Sequence, residues 1–203
     1  MNPISLTPAD ALIIVDLQND FLPGGSLGVP QGNEVVAPIQ QLIDLYQAHG
    51  LPIYASRDWH PAGHCSFTDQ GGPWPVHCIA GSHGAAFSSA IDLEQFSTVI
   101  SKATTVEKDA YSAFNGTGLG EQMRARGIQR VAVCGLATDY CVLNTAKDAL
   151  AEGFATLLVL DAIRAVDVHP GDGARAIAQM QDAGVQPVHV DLVGLLAATT
   201  ELV

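Results

Sequence analysis

The chain has 203 residues, 48% hydrophobic and 15% charged, with 20 glycines and 11 prolines spread along it. That profile fits one compact domain spanning 1–203 with a sizeable core, and it excludes disordered and collagen-like chains. Nine basic against 21 acidic residues give a formal net charge of −12, so phosphate backbones and anionic lipid surfaces repel it and nucleic acid is not an expected partner.

Apolar runs such as Ala11–Val15 and Leu157–Leu160 fall far short of the roughly 20 residues a bilayer span needs. The first 20 residues carry no basic segment and no small-residue cleavage site after their apolar run, so no membrane association and a cytoplasmic location are expected. Four cysteines, Cys65, Cys78, Cys134 and Cys141, lack paired spacing and read as reduced thiols.

Taken in chain order, six apolar, β-branched-rich runs read as buried strands: Ala11–Val15, Leu51–Ser56, Ser97–Ser101, Arg130–Cys134, Thr156–Leu160 and Val185–Val190. Between them, helical spacing covers Val36–His49, Leu119–Arg126, Asn144–Glu152 and Arg175–Ala183, closed by Gly50, Gly127, Gly153 and Gly184. Alternation of this kind predicts a single-domain α/β fold, doubly wound, with a mainly parallel six-stranded sheet and helices on both faces. One stretch, Arg57 to Gln95, has neither periodicity, yet its Trp, Phe and Cys content predicts an ordered loop with a function.

In open parallel sheets the ligand site forms at the carboxyl ends of the strands. The residues delivered there are Asp16, then Asp58 and His60, then Lys102, then Thr138 to Cys141. A carboxylate, an amine and a thiol at one edge suit nucleophilic acyl chemistry. Cys141 is predicted at a helix N-terminus, where the backbone dipole and Lys102 would lower its pKa. Asp16 is the expected proton acceptor, and backbone N–H groups of the same turn can bind an oxyanion. Cys134, inside a strand, reads as packing only. Asp58 and His60, followed by His64 and His77, form a donor set suited to a divalent ion. Cys65 and Cys78 are ligands by type but rank below the histidines. Phe21, Trp74 and Tyr111 sit where a pocket for a planar ligand would be walled. Asp161 is read as capping the turn after the fifth strand, and Tyr140 is given no role.

These residues lie in segments that resemble the nicotinamidases of the isochorismatase-like cysteine hydrolases over essentially the whole length. The resemblance is carried by ALIIVDLQNDFLPGGSL at 11–27, SRDWHPAGHCSF at 56–67, GGPWPVHC at 71–78, SKAT at 101–104, AYSAFNGT at 110–117 and GLATDYCVLNTAKDAL at 135–150. It implies a triad of Asp16, Lys102 and Cys141, with Lys102 preferred to Lys108 because it ends the third strand as the family's lysine does. It implies metal ligands Asp58, His60 and His77 with His64 as a fourth, the ion being zinc, with iron and manganese as alternatives. It further implies a cis peptide at Leu136–Ala137, an oxyanion hole from the amides of Ala137 and Cys141, and a pocket of Phe21, Leu27, Trp74 and Tyr111. The implied reaction is hydrolysis of nicotinamide to nicotinate and ammonia through a Cys141 thioester, a step of pyridine-nucleotide salvage, with the pyridine nitrogen on the metal. Alternatives are a related cysteine hydrolase of another small amide, ureide or carbamoyl compound, an isochorismatase, against which Cys141 argues, and a silent binding module. The number of subunits is not readable from the sequence, and a homo-oligomer stays open.

Overall fold

All six residues of the first strand, β1 (Asp10–Val15), are buried, because an apolar β-branched run can be covered on both faces only inside a parallel sheet. Leu12 and Ile14 meet the core formed with Ile39, Leu42, Ile43 and Tyr46 of helix α1 (Val36–Ala48). Ala11, Ile13 and Val15 meet the opposite core, with Met123 of α3 (Leu119–Ala125), Ala146 and Ala149 of α4 (Leu143–Ala151) and Met180 of α5 (Asp172–Ala183). The chain, a computed structural model that describes residues 4–194, thus has helices on both faces of its sheet, as the alternation predicts.

The other strands are β2 (Ile53–Asp58), β3 (Thr98–Lys102), β4 (Arg130–Leu136), β5 (Ala155–Arg164) and β6 (Gln186–Val188). They lie in the order β3-β2-β1-β4-β5-β6 and every neighbouring pair is parallel. The chain winds outward from β1 to β3, then restarts beside β1 with β4. The switch between those two central strands opens a crevice at their carboxyl ends. Among the described residues no helix is long and apolar enough to cross a membrane.

Several boundaries differ from the sequence reading, each for a physical reason. β2 runs two residues past Ser56, because Arg57 and Asp58 stay in the ladder opposite Ser101 and Lys102. β5 continues through Asp161 to Arg164, re-registering on Gly135 and Leu136 after a register shift that places extra residues on the β5 side. Asp161 therefore caps no turn after the strand; its carboxylate accepts the Val190 amide. A π-helical turn, Thr138–Val142, precedes α4. The segment after β2 is irregular as expected, tied by single bridges from His60 to Ile79 and from Phe67 to Trp74, with a short helix α2 (Leu93–Phe96) before β3.

Candidate active site

At the end of β1 the backbone turns at Asp16 with φ 48°, which aims its side chain into the crevice. Ser56 Oγ donates to Asp16 Oδ1 at 2.7 Å. Lys102, the last residue of β3 and 1% exposed, lies with Nζ 2.9 Å from Asp16 Oδ2 and donates to Asp58 Oδ1 at 2.5 Å and the Ala110 carbonyl at 3.1 Å. Cys141 Sγ is 3.5 Å from the same ammonium. Asp16 Oδ2 is close to Lys102 but off the direction of a hydrogen bond, so it is a buried oxygen without a hydrogen-bond partner. Asp16, Asp58 and Cys141 have their reactive atoms within 4.8 Å of one another.

The charges follow from this packing. Burial works against the Lys102 ammonium, but Asp16 and Asp58 outweigh it and hold the group charged well above its usual range. Burial raises the Asp58 pKa, yet Lys102 and then His60 overcome this and keep it a carboxylate below its ordinary range. For Asp16 burial dominates over the pull of Lys102, so its carboxyl is pushed up. For Cys141 burial again dominates, Lys102 opposes it, and the two carboxylates add to the rise. The expectation of a thiol acidified at a helix N-terminus is thereby corrected. A thiolate here would be a third buried anion beside one ammonium, and α4 begins only at Leu143. Burial thus favours the thiol form of Cys141 over the thiolate.

Asp58 also faces the other way. Its Oδ2 lies 3.7 Å from His60 Nε2 and 3.9 Å from His77 Nε2, and the two imidazole nitrogens are 3.2 Å apart. His77 Nδ1 meets the Pro75 carbonyl at 2.8 Å and His60 Nδ1 the Ala103 carbonyl at 3.3 Å. Carbonyls only accept, so both Nδ1 atoms carry the proton and two Nε2 lone pairs face each other. Such a pair calls for a cation, and burial, which outweighs Asp58, lowers the His60 pKa to about 4 and disfavours a proton as that cation. A point equidistant from the three donors lies about 2.1 Å from each, the bond length of zinc to nitrogen and oxygen. The donor set fits a divalent ion, with the carbonyls supplying the outer hydrogen bonds that metal-binding histidines use.

His64 is placed differently from the expected fourth ligand. Its Nδ1 meets Ser66 Oγ at 2.8 Å and its Nε2 the Lys108 carbonyl at 3.0 Å, so neither nitrogen is directed at the donor triangle. Instead its ring stacks on His60 at 4.1 Å and fixes that ring from behind. Cys65 and Cys78 are also outside the set; the Cys78 amide is held by Asp20 Oδ2 at 2.7 Å. Lys108 contributes only its carbonyl. Cys134 is fully buried in β4 and packs as predicted.

Over Ala137, Cys141 and Asp58 stands a small cavity, open at its mouth. The four expected pocket residues Phe21, Leu27, Trp74 and Tyr111 all line it, and the Leu136–Ala137 peptide at its floor is cis. Trp74 Nε1 donates to Tyr111 Oη at 3.0 Å, which locks two walls together. Tyr140, to which the sequence assigned nothing, completes the wall edge-on to Trp74 at 4.9 Å. Asp109, Ala110 and Val166 are the other unforeseen lining residues. The position of Tyr140 directly before Cys141 is the signal that was open to reading.

Fold and site together define an α/β enzyme that gathers a thiol, a carboxylate and an ammonium at the switch point of a parallel sheet, next to a donor set that fits a divalent ion. The chain belongs to the isochorismatase family, whose domain matches residues 10–191. It is 39% identical to the nicotinamidase of Escherichia coli over 198 residues, 87% of this chain and 93% of that one. Two crystal structures resemble it closely. The pyrazinamidase of Pyrococcus horikoshii in complex with zinc shares 44% identity at a TM-score of 0.86, over 90% of this chain and 99% of that one. The PnC1 protein of L. infantum in complex with nicotinate shares 37% identity at a TM-score of 0.87, over 94% and 98% respectively.

Proposed function

We propose that the chain is a nicotinamidase that hydrolyses nicotinamide to nicotinate and ammonia through a thioester on Cys141. The observation that carries this reading is the joining of two centres through one residue. Asp58 contacts Lys102 on one side and faces His60 and His77 on the other, beneath a cavity walled by aromatic rings. Asp58, His60 and His77 would hold a zinc ion, which would supply a Lewis acid able to orient the ring of a pyridine amide beside the thiol. Similarity to a zinc-bound pyrazinamidase and to a nicotinate-bound relative supports both the ion and the ring.

The chain's own groups then carry the chemistry. Asp16 takes the Cys141 proton as Sγ attacks the amide carbon, and the oxyanion accepts hydrogen bonds from the Ala137 and Cys141 amides. Asp16 returns that proton to the amide nitrogen, the C–N bond breaks and ammonia leaves. A water that gives its proton to Asp16 attacks the thioester, the C–S bond breaks, the sulfur recovers the proton and nicotinate departs. Lys102 stays charged throughout and offsets the negative charge that passes between Asp16 and Cys141. Phe21, Leu27, Trp74 and Tyr111 exclude water and hold the ring. A hydrolase of another small amide or carbamoyl compound would leave the two facing imidazoles without a purpose, which weighs against that alternative. The test is ammonia release from nicotinamide by protein stripped with a chelator and refilled with zinc, iron or manganese. Release restored by metal is the expected result; no release with any of the three overturns the reading.

A further inference from the structure

The first two residues after β1 create a difficulty in the sheet. The ladder between β1 and β2 ends with the Asp16 amide donating to the Ser56 carbonyl at 3.1 Å. Beyond it β1 has turned away, while β2 continues to Asp58. The Asp58 N–H and C=O on that side would be left buried and unpaired, which native structures avoid. Gln18, fully buried, fills the gap with its side chain. Its Oε1 accepts the Asp58 amide at 2.8 Å and its Nε2 donates to the Asp58 carbonyl at 2.8 Å and to the Ala85 carbonyl at 2.8 Å. One primary amide thus stands in for the missing strand residue.

The consequence reaches both centres. Asp58 Oδ1 accepts from Lys102, which touches Asp16 and Cys141, and Asp58 Oδ2 faces the two histidines. The third bond, to Ala85, ties in a segment whose neighbour Gly84 carbonyl accepts the Asp20 amide, while Asp20 holds the backbone next to His77. We propose that Gln18 is a positioning residue that sets the Asp58 carboxylate in register with both the metal donors and the Lys102–Asp16–Cys141 group. This rests on the nicotinamidase reading for its activity readout but not for the others. Gln18 touches no reacting atom, so its effect is exerted through Asp58.

The test compares wild type with Gln18→Met, similar in length but unable to make the three bonds, and with Ile43→Val in the α1 core as a destabilised control. Zinc affinity is measured on apo-protein by competition with a chelator dye, Cys141 alkylation by iodoacetamide is followed against pH by peptide mass, and kcat and KM are taken for nicotinamide. Gln18→Met is expected to lose roughly tenfold to a hundredfold in zinc affinity, the range for outer partners of metal ligands. The pH profile of Cys141 alkylation should also move and kcat should fall. Ile43→Val should lower the melting temperature alone. Gln18→Met with wild-type zinc affinity and alkylation profile, whatever its melting temperature, overturns the proposal. If wild type releases no ammonia, the substrate reading falls, and Gln18 is still judged by zinc and alkylation. Should Gln18→Met not fold, Gln18→Glu keeps the acceptor and can donate to at most one of the two carbonyls, with losses expected in the same direction. Should neither fold, the Gln18 side-chain amide signal of 15N-labelled wild type is followed on addition of zinc. A shift supports the coupling, and an unchanged signal overturns it.

Discussion

Replacing Asp16 by Asn separates two consequences that a simpler view of the site would merge. The substitution keeps shape and the acceptor for Ser56, and Lys102 retains Asp58 at 2.5 Å and the Ala110 carbonyl at 3.1 Å, so the fold should persist. Turnover loses the base of both half-reactions, a loss of about 10³- to 10⁴-fold in kcat, or about 4 to 5 kcal/mol. The thiol responds in the opposite direction. Asp16 and Cys141 have reactive atoms within 4.8 Å, and removing the anion withdraws about 3 kcal/mol of repulsion from the thiolate at an effective dielectric near 20. Cys141 should therefore alkylate faster in Asp16→Asn at neutral pH while ammonia release collapses. Iodoacetamide kinetics with peptide mapping and a coupled ammonia assay on the same preparation check this. Equal or slower alkylation in the variant, or turnover within about tenfold of wild type, a loss smaller than general-base catalysis contributes, would refute the assignment of Asp16 as the base.

Because burial raises the Asp16 pKa, its base form is lost as pH falls at a point above the ordinary aspartate range, and the acid limb of kcat/KM should lie there. Ser56→Ala removes a hydrogen bond that favours the ionised form, a contribution of about 1.5–3 kcal/mol, so the limb should move to higher pH in a kcat/KM profile. His77→Ala removes one of three donors and should lower zinc affinity by about two orders of magnitude, at least the effect of losing an outer partner, as read by elemental analysis and dye competition. Gly135, with φ +108°, lies so close to β1 that a Cβ would stand 2.1 Å from the Val15 carbonyl. Gly135→Ala should cost about 3 kcal/mol or more in urea unfolding, from backbone strain and overpacking together.

The strands were legible where burial on both faces writes itself as an unbroken apolar run, as in Ala11–Val15. They were illegible where the ladder carries polar residues: Arg57 and Asp58 belong to β2 only because Ser101 and Lys102 lie opposite. Asp58, His60, His64 and His77 could be picked out as a donor set by residue type and spacing, but two features of the site depend on three-dimensional surroundings. Cys141 looked acidic from its neighbours along the chain, whereas its burial beside two carboxylates makes it a weak acid. His64 is a ligand by type, and only its contacts with Ser66 and Lys108 show both nitrogens occupied. Gln18 gave no signal, since a glutamine that replaces a strand residue looks like any polar residue in a loop.

The two faces of the Asp58 carboxylate bear on how such a protein can diverge. His60 and His77 make no contact with the Lys102 ammonium, so exchanging them would leave the Lys102 contacts to Asp16, Asp58 and Cys141 in place while the cavity above was refitted. Asp58 has no such freedom, because its loss strips Lys102 of its shortest contact at the same moment as it opens the donor triangle. Change at this site is therefore asymmetric: replacing an imidazole alters one half of it, and replacing the aspartate beside them alters both.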